Sequence, residues 1–448
     1  MSLDRLSFEE YHEGQLSTLR HADGQIYRLM TSEYQRQRDS LQLIAAENQC
    51  SPAVLAALGS VVQNKTTEGF PGARFHGGCQ IVDQIEELAK SRAKETFGAH
   101  YANVQPHSGT AANHIVITAL LERGDRILSL GLDQGGHLSH GASVSFTGKF
   151  FDVANYYVDK TTFLLDYDKI AEQALKIRPK LIICGATAYS RTIDFKKFRD
   201  IAESVGAYLL ADISHISALV IAGAHPSPVD YAHFTTTSTY KPGGPRGGLI
   251  LMGKDYDRKI KVKGKDTALW ELIEKTTFPG VQGTPYLNHI AGKAVFFKET
   301  LSSEYRARQF GVVENAKRLA YNLQNLGMDV LTGGTDNHMI LINVANLREC
   351  LTGLTAQRCL EDCGIVTNRI AMPYDTRIAS VASGIRLGTP IVTRNGMGVE
   401  QMDGIAEMIN SVLRHVKIIN EAEYEMDEAF RNDIRTQVKD LCGRFPMR

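Results

Sequence analysis

The amino-acid sequence predicts an α/β protein built on a mainly parallel sheet with helices on both faces. From about residue 95 to residue 255, short β-branched runs alternate with stretches of helical periodicity. Because parallel strands need crossover connections, this alternation indicates helices that cover the sheet. The chain is 448 residues long and 43% hydrophobic, which suffices for a large buried core.

Five apolar runs in this region are predicted strands. Two stretches between them have helical periodicity and acidic starts, at residues 168–177 and 194–205. Ligands in such sheets bind beyond the carboxyl ends of the strands, so the residues that follow each run are the candidates for a site. The predicted strands are 126–130, 180–185, 207–212, 233–237 and 248–252.

A second, smaller α/β domain is predicted for the C-terminal part of the chain. A helical stretch at 305–326 is followed by strand-like runs at 338–344 and 384–388, and residues 399–419 are helical again. The first 55 residues have few core positions and are predicted to form a helical arm. The expected organisation is an arm at 1–55, a large domain at 56–300 and a small domain at 301–448.

Composition excludes several classes of protein. With 50 Lys+Arg against 50 Asp+Glu, the chain has no overall field to hold nucleic acid or an anionic membrane. No apolar stretch approaches the roughly 18 residues of a transmembrane helix, and the start lacks the order of a secretory signal. The seven cysteines are scattered and form no CxxC pair, which favours reduced thiols. We expect a soluble cytoplasmic protein.

Two candidate groups follow predicted strands. Ser108, Gly109 and Thr110 precede a helical stretch, where backbone N–H groups and the helix dipole can bind an anion. Ordinary capping by hydroxyl side chains explains them equally well. Asp212 ends an apolar strand, where a buried carboxylate needs a cationic partner. Capping of the next helix is the simpler interpretation of Asp212 alone.

Two further candidates, Lys241 and His137, have nitrogen-containing side chains. Lys241 lies in a glycine-rich loop, where its amine can approach a ligand closely and, if partly desolvated, act as a nucleophile. A solvated loop lysine is the commoner case. His137, in a glycine-rich stretch at 135–140, can equally be a core histidine.

Together these groups fit one cofactor, pyridoxal 5'-phosphate (PLP). PLP requires an anion site, a Schiff-base lysine and an acidic partner for its ring nitrogen, and all three occur here in chain order. The sequence contains no P-loop and no metal-binding motif, so no metal site is predicted.

Longer motifs extend this interpretation. They lie at residues 43–52, 68–79, 103–109, 135–141, 278–283 and 383–390. In these stretches the sequence resembles the serine hydroxymethyltransferase family, over about residues 30–415. The resemblance implies a fold-type I PLP-dependent transferase. Its large domain would carry a mostly parallel, seven-stranded sheet, followed by a smaller C-terminal α/β domain.

The resemblance also implies residue roles around the cofactor. Lys241 would form the Schiff base, Asp212 would pair with the protonated ring nitrogen, and His137 would stack on the ring. Thr187 and His215 would line the phenolic side of the cofactor and the substrate. The remaining implied cofactor contacts are Ser108, Gly109, Thr110 and Ser238, with Gly283 and Thr284 from the neighbouring subunit.

For the substrates, the resemblance implies that Arg386 binds the amino-acid carboxylate, which its planar guanidinium suits. Glu68, donated across a dimer interface, would be the acid/base near the transferred hydroxymethyl group. Tetrahydrofolate would be the co-substrate. The expected assembly is a homodimer with shared active sites, and a tetramer is the alternative. The implied catalytic set is Lys241, Glu68, His137, Asp212 and His215.

Two departures from the family pattern concern the substrate pocket. The usual Asn-Lys-Tyr-x-Glu-Gly reads Asn-Lys-Thr-Thr-Glu-Gly here, so a tyrosine is replaced by Thr66. In the usual Arg-Tyr-Tyr-Gly-Gly, the second tyrosine is His76. Loss of a phenol beside the substrate α-carbon makes room for a methyl group. In this respect the chain is similar to the α-methylserine (2-methylserine) hydroxymethyltransferase branch, which uses α-methylserine and D-alanine. Neutral drift in an ordinary serine/glycine enzyme is the alternative.

Other departures concern folate. Ile370 takes the place of a folate-contacting asparagine, although Leu132, Leu138 and Glu68 of the folate pocket persist. A folate-independent aldolase or transaldolase that makes a β-hydroxy-α-amino acid is therefore a second hypothesis. A non-catalytic scaffold is a third, and retention of the cofactor residues argues against it. The family's serine at Ala46 and histidine at Tyr240 are also replaced, and the loop after the lysine is one residue shorter.

Overall fold

The computed structural model describes residues 8–448. Within them the chain divides into two compact units. The larger unit comprises residues 53–310, and the smaller combines residues 8–52 with 311–448. The sequence analysis instead treated residues 1–55 as a separate arm, and the first seven residues of that arm lie outside the described part.

A seven-stranded sheet lies at the centre of the larger unit. In spatial order its strands run β1-β7-β6-β5-β4-β2-β3, and only β7 is antiparallel to its neighbours. The predicted mostly parallel sheet is thus confirmed. The strands are β1 (Tyr101–Asn103), β2 (Arg126–Leu130), β3 (Asp152–Tyr156), β4 (Leu181–Cys184), β5 (Tyr208–Asp212), β6 (Phe234–Ser238) and β7 (Gly248–Met252).

Hydrophobic burial explains why the five predicted runs form the sheet interior. Strands β4, β6 and β7 are buried at every position, so both of their faces are covered. A strand covered on both faces has a continuous apolar or small-residue run rather than an alternating one. Strand β3, at the edge of the sheet, is mostly half-buried, and the sequence analysis did not name it.

The two predicted crossover helices of the larger unit are confirmed. Tyr167–Ile177 and Phe195–Val205 each begin after an aspartate whose side chain accepts a backbone N–H of the first turn, Asp166 and Asp194 respectively. Such N-caps satisfy donors that a helix start leaves unpaired. The other helices of this unit are Gln80–Phe97, Gly109–Leu120, Phe146–Phe150, Ser217–Ala222, Leu269–Lys275 and Leu287–Thr300, with Pro52–Leu58 at its start and a turn of π-helix at Thr276–Val281.

Residues 259–275 form a hairpin and a helix. Lys259–Val262 pairs antiparallel with Lys265–Ala268, and the helix Leu269–Lys275 follows. Leu269 is fully buried in the core beside the sheet, and the half-buried Trp270 packs against the same core. This segment therefore covers part of the sheet.

The smaller unit contains a four-stranded antiparallel sheet. Its strands are β8 (Asp329–Val330), β9 (Met339–Asn343), β10 (Asn368–Ile370) and β11 (Gly384–Gly388), in the spatial order β8-β9-β11-β10. The helix Ser303–Asn325 runs from the larger unit into it. The other helices of the smaller unit are Phe8–Ala22, Gly24–Arg38, Gly353–Asp362, Pro390–Arg394, Val399–His415 and Glu428–Arg444.

The sequence predictions for this unit are confirmed for its long helix and for β9 and β11. The C-terminal helix predicted to reach residue 419 ends at His415, because Lys417–Ile418 pairs with Tyr424–Glu425 in a short hairpin. Across residues 8–448, none of the helices combines the length and apolar character that a bilayer crossing requires.

Candidate active site

A cavity of about 260 Å³ opens at the carboxyl ends of the parallel strands in the larger unit. This position agrees with the rule for ligand sites in doubly wound sheets. Nine residues that the sequence analysis selected line it together. They are Ser108, Gly109, Thr110, His137, Thr187, Asp212, His215, Ser238 and Lys241.

The start of the helix Gly109–Leu120 forms one end of the cavity, and we call residues 108–110 the phosphate cradle. Ser108 is the N-cap of this helix, and its Oγ accepts the backbone N–H of Ala111 at 3.0 Å. A Cβ atom on Gly109 would lie 3.2 Å from the backbone nitrogen of Ser238, so glycine permits close approach to the end of β6. The first N–H groups of a helix have no partner within it, so this end can bind a phosphate.

Asp212 lies at the end of β5 and is 8% exposed. Its Oδ2 accepts hydrogen bonds from Asn113 Nδ2 at 2.8 Å and His140 Nε2 at 3.0 Å. Its Oδ1 accepts the backbone N–H and the hydroxyl of Ser214, at 2.9 and 2.6 Å. Burial raises the pKa of Asp212. The hydrogen bond and the charge of His140, together with the hydrogen bond from Asn113, outweigh this effect and hold the pKa far below its ordinary value. Asp212 is therefore a buried anion.

Asn113 connects Asp212 with the histidine side of the cavity, and the sequence analysis did not select it. Its amide donates both to Asp212 and to Ser139 Oγ at 2.9 Å, while its own oxygen accepts from Thr236 Oγ1 at 2.6 Å. Asn113 follows Gly109 by four residues, which places both on one helix face. That spacing, together with a polar residue inside an apolar helix, was the available signal.

His137 is neutral at physiological pH. Burial lowers its pKa to about 4, although the nearby charge of Asp212 opposes this. The backbone N–H of Ser139 donates to His137 Nδ1 at 3.2 Å, which requires a lone pair on that nitrogen. The ring proton of the neutral form therefore resides on Nε2. A neutral ring fixed through its Nδ1 can stack on a flat ligand.

Lys241 follows β6 in a tight turn and is half-buried. Its Nζ donates to Ser238 Oγ at 3.1 Å and lies 4.7 Å from the ring centroid of Tyr240. The guanidinium carbon of Arg246 lies 4.1 Å from the same centroid. Tyr240 and Arg246 also line the cavity. One aromatic ring thus faces two cations.

Thr187 and His215 complete the cavity wall. Thr187 Oγ1 donates to the backbone oxygens of Gly135 and Gly136, both at 3.1 Å. Gly135 has φ of +94°, and a Cβ there would lie 2.4 Å from the backbone oxygen of Ala188. Glycine is therefore needed at this position for the His137 loop to pack against residues 186–188.

Six predicted site residues lie outside the lining of this cavity: Thr66, Glu68, His76, Gly283, Thr284 and Arg386. Glu68 is half-buried, and its Oε1 would be 3.6 Å from a Cβ atom on Gly283. Within one chain, the structure therefore brings Glu68 close to Gly283. The sequence analysis assigned both residues to the neighbouring subunit's site.

A short hairpin carries Glu68. Gly69–Phe70 pairs antiparallel with Ala73–Arg74, and the backbone N–H of Phe75 donates to Glu68 O at 3.0 Å. The Arg74 guanidinium donates to the backbone oxygens of Thr67 and Gly69, at 3.0 and 2.6 Å, on either side of Glu68.

Buried charges hold this arginine in place. Its Nη2 donates to Glu86 Oε2 at 2.6 Å, and its Nε donates to Asp83 Oδ1 at 2.9 Å. Glu86 and the Arg74 side chain are nearly fully buried. The ion pair therefore fixes the backbone on both sides of Glu68.

Thr284 reaches the cavity wall through its backbone. The Nε2 of His107, a cavity residue, donates to Thr284 O at 3.2 Å. The His107 ring also stacks on Tyr286, with centroids 4.2 Å apart. His107 was quoted in a motif but was not selected as a site residue.

Arg386 lies in the smaller unit, on the inner strand β11. It is 7% exposed, and its Nε donates to Asn368 Oδ1 at 3.2 Å. Burial of a guanidinium is costly unless it is paired or binds an anion. Arg386 is therefore a buried cation rather than a solvated surface residue.

Comparison with known families agrees with this geometry. A model of the serine hydroxymethyltransferase family matches residues 19–409. The chain belongs to the serine hydroxymethyltransferase family. Members of this family are fold-type I PLP enzymes that transfer hydroxymethyl groups, use tetrahydrofolate generally and are typically oligomeric. The predicted family and fold class are thereby confirmed.

The cavity of this chain fits PLP chemically. It combines a helix start for a phosphate, a lysine amine for an aldehyde, a buried carboxylate for a pyridinium nitrogen and a neutral imidazole for a ring face. The ligand atoms of His137, His140 and Asp212 also lie within 4.8 Å of one another, a spacing compatible with a metal ion. These ligand atoms already have protein partners, however, because Asn113 and His140 donate to Asp212 Oδ2 and the Ser139 N–H donates to His137 Nδ1.

Proposed function

We propose that this protein is a PLP-dependent hydroxymethyltransferase that interconverts α-methylserine and D-alanine, with tetrahydrofolate carrying the one-carbon unit. Membership of the family supports the hydroxymethyl transfer. The observation that carries the choice of substrate is the presence of Thr66 and His76 where the family has tyrosines.

The position of these two residues supports the proposal. They flank the hairpin that carries Glu68: Thr66 precedes Glu68 by two residues, and His76 directly follows Phe75, whose N–H donates to Glu68 O. Thr66 and His76 therefore lie at the same end of the hairpin, and both are exposed in the single chain. Exchange of glycine for D-alanine adds one methyl group at the α-carbon. A closely packed site excludes an added methyl group unless a side chain that lines the site is smaller.

The cofactor contacts that we propose follow the cavity. When bound, PLP supplies an electron sink for the charge left on the substrate α-carbon. The phosphate cradle binds the phosphate, and Lys241 holds the cofactor through its amine. Asp212 keeps the ring nitrogen protonated, and the neutral His137 presents its ring to the cofactor ring. Thr187, His215 and Ser238 complete the cofactor contacts.

For the amino acid, we propose that Arg386 binds the carboxylate as a bidentate pair. Glu68 would hold and release the proton near the transferred group. The family is typically oligomeric, which supports a homodimer in which Glu68, Gly283 and Thr284 serve the partner's site. A cytoplasmic location is proposed as well, because the cysteines are scattered along the sequence and form no CxxC pair.

A second candidate function is a folate-independent aldolase or transaldolase. The observation that favours it is Ile370 on β10, where the family places a folate-contacting asparagine. Such an enzyme would use the same cofactor residues without a pterin site.

One assay tests both candidates. The PLP-loaded enzyme is incubated with formaldehyde and either D-alanine or glycine, each with and without tetrahydrofolate, and β-hydroxy amino acid formation is measured. Faster turnover of D-alanine that depends on tetrahydrofolate supports the first proposal. Turnover that is indifferent to tetrahydrofolate favours the aldolase. A wide preference for glycine contradicts our interpretation of Thr66.

A further inference from the structure

A buried lysine without a role in the proposed chemistry lies beside the cavity. Lys293 belongs to the helix Leu287–Thr300 and is 1% exposed. Its Nζ donates to three backbone oxygens, those of Val104 at 2.6 Å, Gly248 at 2.8 Å and Pro106 at 3.4 Å. A fully buried lysine is rare in proteins unless its charge is compensated.

The three carbonyl groups belong to two segments that border the phosphate cradle. Val104 and Pro106 lie in the loop that leads from β1 to Ser108. Gly248 begins β7, directly after the cavity-lining Gly247. The ammonium group therefore ties the loop before the cradle to the segment that returns from the Lys241 turn.

These segments pack backbone against backbone. The N–H of Gly248 donates to Pro106 O at 2.8 Å, and a Cβ atom on Gly248 would lie 2.1 Å from the backbone oxygen of Ser108. A Cβ atom on Gly247 would lie 2.5 Å from Lys293 Cε. Any side chain at position 247 would therefore clash with the aliphatic part of the Lys293 side chain.

The stereochemistry of the ammonium group suits this position. A protonated lysine has three donors, and three carbonyl oxygens accept them here. A neutral amine has only two donors and cannot serve all three carbonyl oxygens at once.

The charge of Lys293 also reaches the cavity. Burial lowers the pKa of His107, and the positive charge of Lys293 lowers it further. Burial lowers the pKa of Lys293 itself to about 7, while Glu86 acts in the opposite direction. The ammonium form is thus present near neutral pH, close to a site proposed for a phosphate dianion.

We propose that Lys293 is a positioning residue for cofactor binding, whose buried ammonium group fixes the backbone of the phosphate cradle. This inference rests on PLP being the cofactor. It predicts that loss of the ammonium group weakens the binding of the phosphate more than the binding of the pyridine ring.

The test compares two ligands that differ only in the phosphate. Dissociation constants for PLP and for pyridoxal are measured on the cofactor-free protein by absorbance titration, for wild type, Lys293→Met and Lys293→Gln. We expect the PLP constant to rise about tenfold in Lys293→Met, with a smaller rise in Lys293→Gln, because charged hydrogen bonds are lost. The pyridoxal constant should change by less than about twofold, because the cradle does not contact pyridoxal.

Two variants of the same helix serve as controls. Lys298→Met makes the same substitution at an exposed position, and Phe297→Leu loosens a buried position that packs against Phe97. Both should leave the ratio of the two constants unchanged.

The remaining outcomes overturn the proposal. An equal change for PLP and pyridoxal, or no change in a folded Lys293→Met protein, means that the cradle does not depend on Lys293. Failure of both Lys293 variants to fold, judged by circular dichroism and gel filtration, means that Lys293 supports the fold as a whole. If wild-type protein binds neither ligand, the proposed function fails instead.

Discussion

The amide of Asn113 donates one hydrogen bond to Asp212, across 2.8 Å, in the interior of the larger unit. The same amide donates to Ser139, which contacts the ring of His137. A single side chain thus orients both the carboxylate and the imidazole proposed to contact the cofactor ring. Its own orientation is set by Thr236, whose hydroxyl donates to the amide oxygen.

Replacement of Asn113 with alanine should weaken PLP binding by about tenfold, because Asp212 loses a charge-assisted hydrogen bond. Loss of that bond also raises the pKa of Asp212, since the bond from Asn113 helps to lower it. Titration of PLP against the variant at several pH values should therefore show loss of binding on acidification that begins at higher pH than in wild type.

The matched control for this prediction is Ser139→Ala. It removes the second acceptor of the Asn113 amide and leaves the bond to Asp212 in place. If Ser139→Ala raises the pH at which PLP binding is lost as much as Asn113→Ala does, the change in pH dependence does not arise from Asp212.

A site residue can be predicted from the sequence when its position follows from local structure, and cannot when it depends on contacts between distant segments. Lys241, Asp212 and the cradle follow predicted strands directly, so strand periodicity and the carboxyl-end rule locate them. Asn113 and Lys293 lie inside helices, on turns that face the sheet or its loops. Their roles depend on packing between distant segments, since Asn113 and Asp212 are 99 positions apart in sequence and Lys293 and Val104 are 189 positions apart. A polar residue in an apolar helix can mark Asn113 as a candidate, but no local pattern identifies the distant partner of either residue.

The same limit applies to the fold. Buried strands such as β7 are visible as continuous apolar runs, whereas the edge strand β3 is half-buried and has no such run. The grouping of residues 8–52 with the C-terminal unit depends on long-range pairing, since Leu41–Gln42 lies parallel to Ile365–Val366. Sequence periodicity carries no information about that partner.

His137 provides a prediction about pH and stability. The pKa of His137 is about 4 in the folded state, against an ordinary value near 6.5. As the pH falls, the imidazole is therefore protonated in the unfolded chain before it is protonated in the folded one. Between these values stability rises with pH, because the unfolded state holds more protons. We expect the free energy of unfolding of the cofactor-free protein to fall as pH drops from about 6.5 to about 4.

The variant His137→Phe isolates this contribution. It keeps an aromatic ring and cannot be protonated, so the part of the acid destabilisation due to residue 137 should disappear. Urea denaturation at pH 4.5 and pH 7 measures it for both proteins. An identical pH dependence in wild type and His137→Phe would show that the histidine is protonated equally in both states.

Thr66 provides a prediction about the substrate. Thr66→Tyr restores the family residue and refills the space that we assign to the α-methyl group. The variant should lose about tenfold or more in kcat/KM for α-methylserine and less for serine, since overpacking costs about 1–3 kcal/mol. Steady-state kinetics with both substrates measure the ratio. Thr66→Ser, which adds no volume, is the control, and an unchanged ratio in Thr66→Tyr contradicts the assignment.

Tyr240 provides the last prediction, which concerns Lys241. The lysine Nζ and the Arg246 guanidinium lie 4.7 and 4.1 Å from the Tyr240 ring centroid, within the range of cation–π attraction. Tyr240→Phe keeps this ring and should leave PLP binding within about twofold of wild type, whereas Tyr240→Leu should weaken it by about three- to tenfold. Absorbance titration and the rate of colour development upon PLP addition measure both effects. Equal losses in the two variants would instead assign the contribution to the phenol hydroxyl, because the hydroxyl is the only group that both substitutions remove.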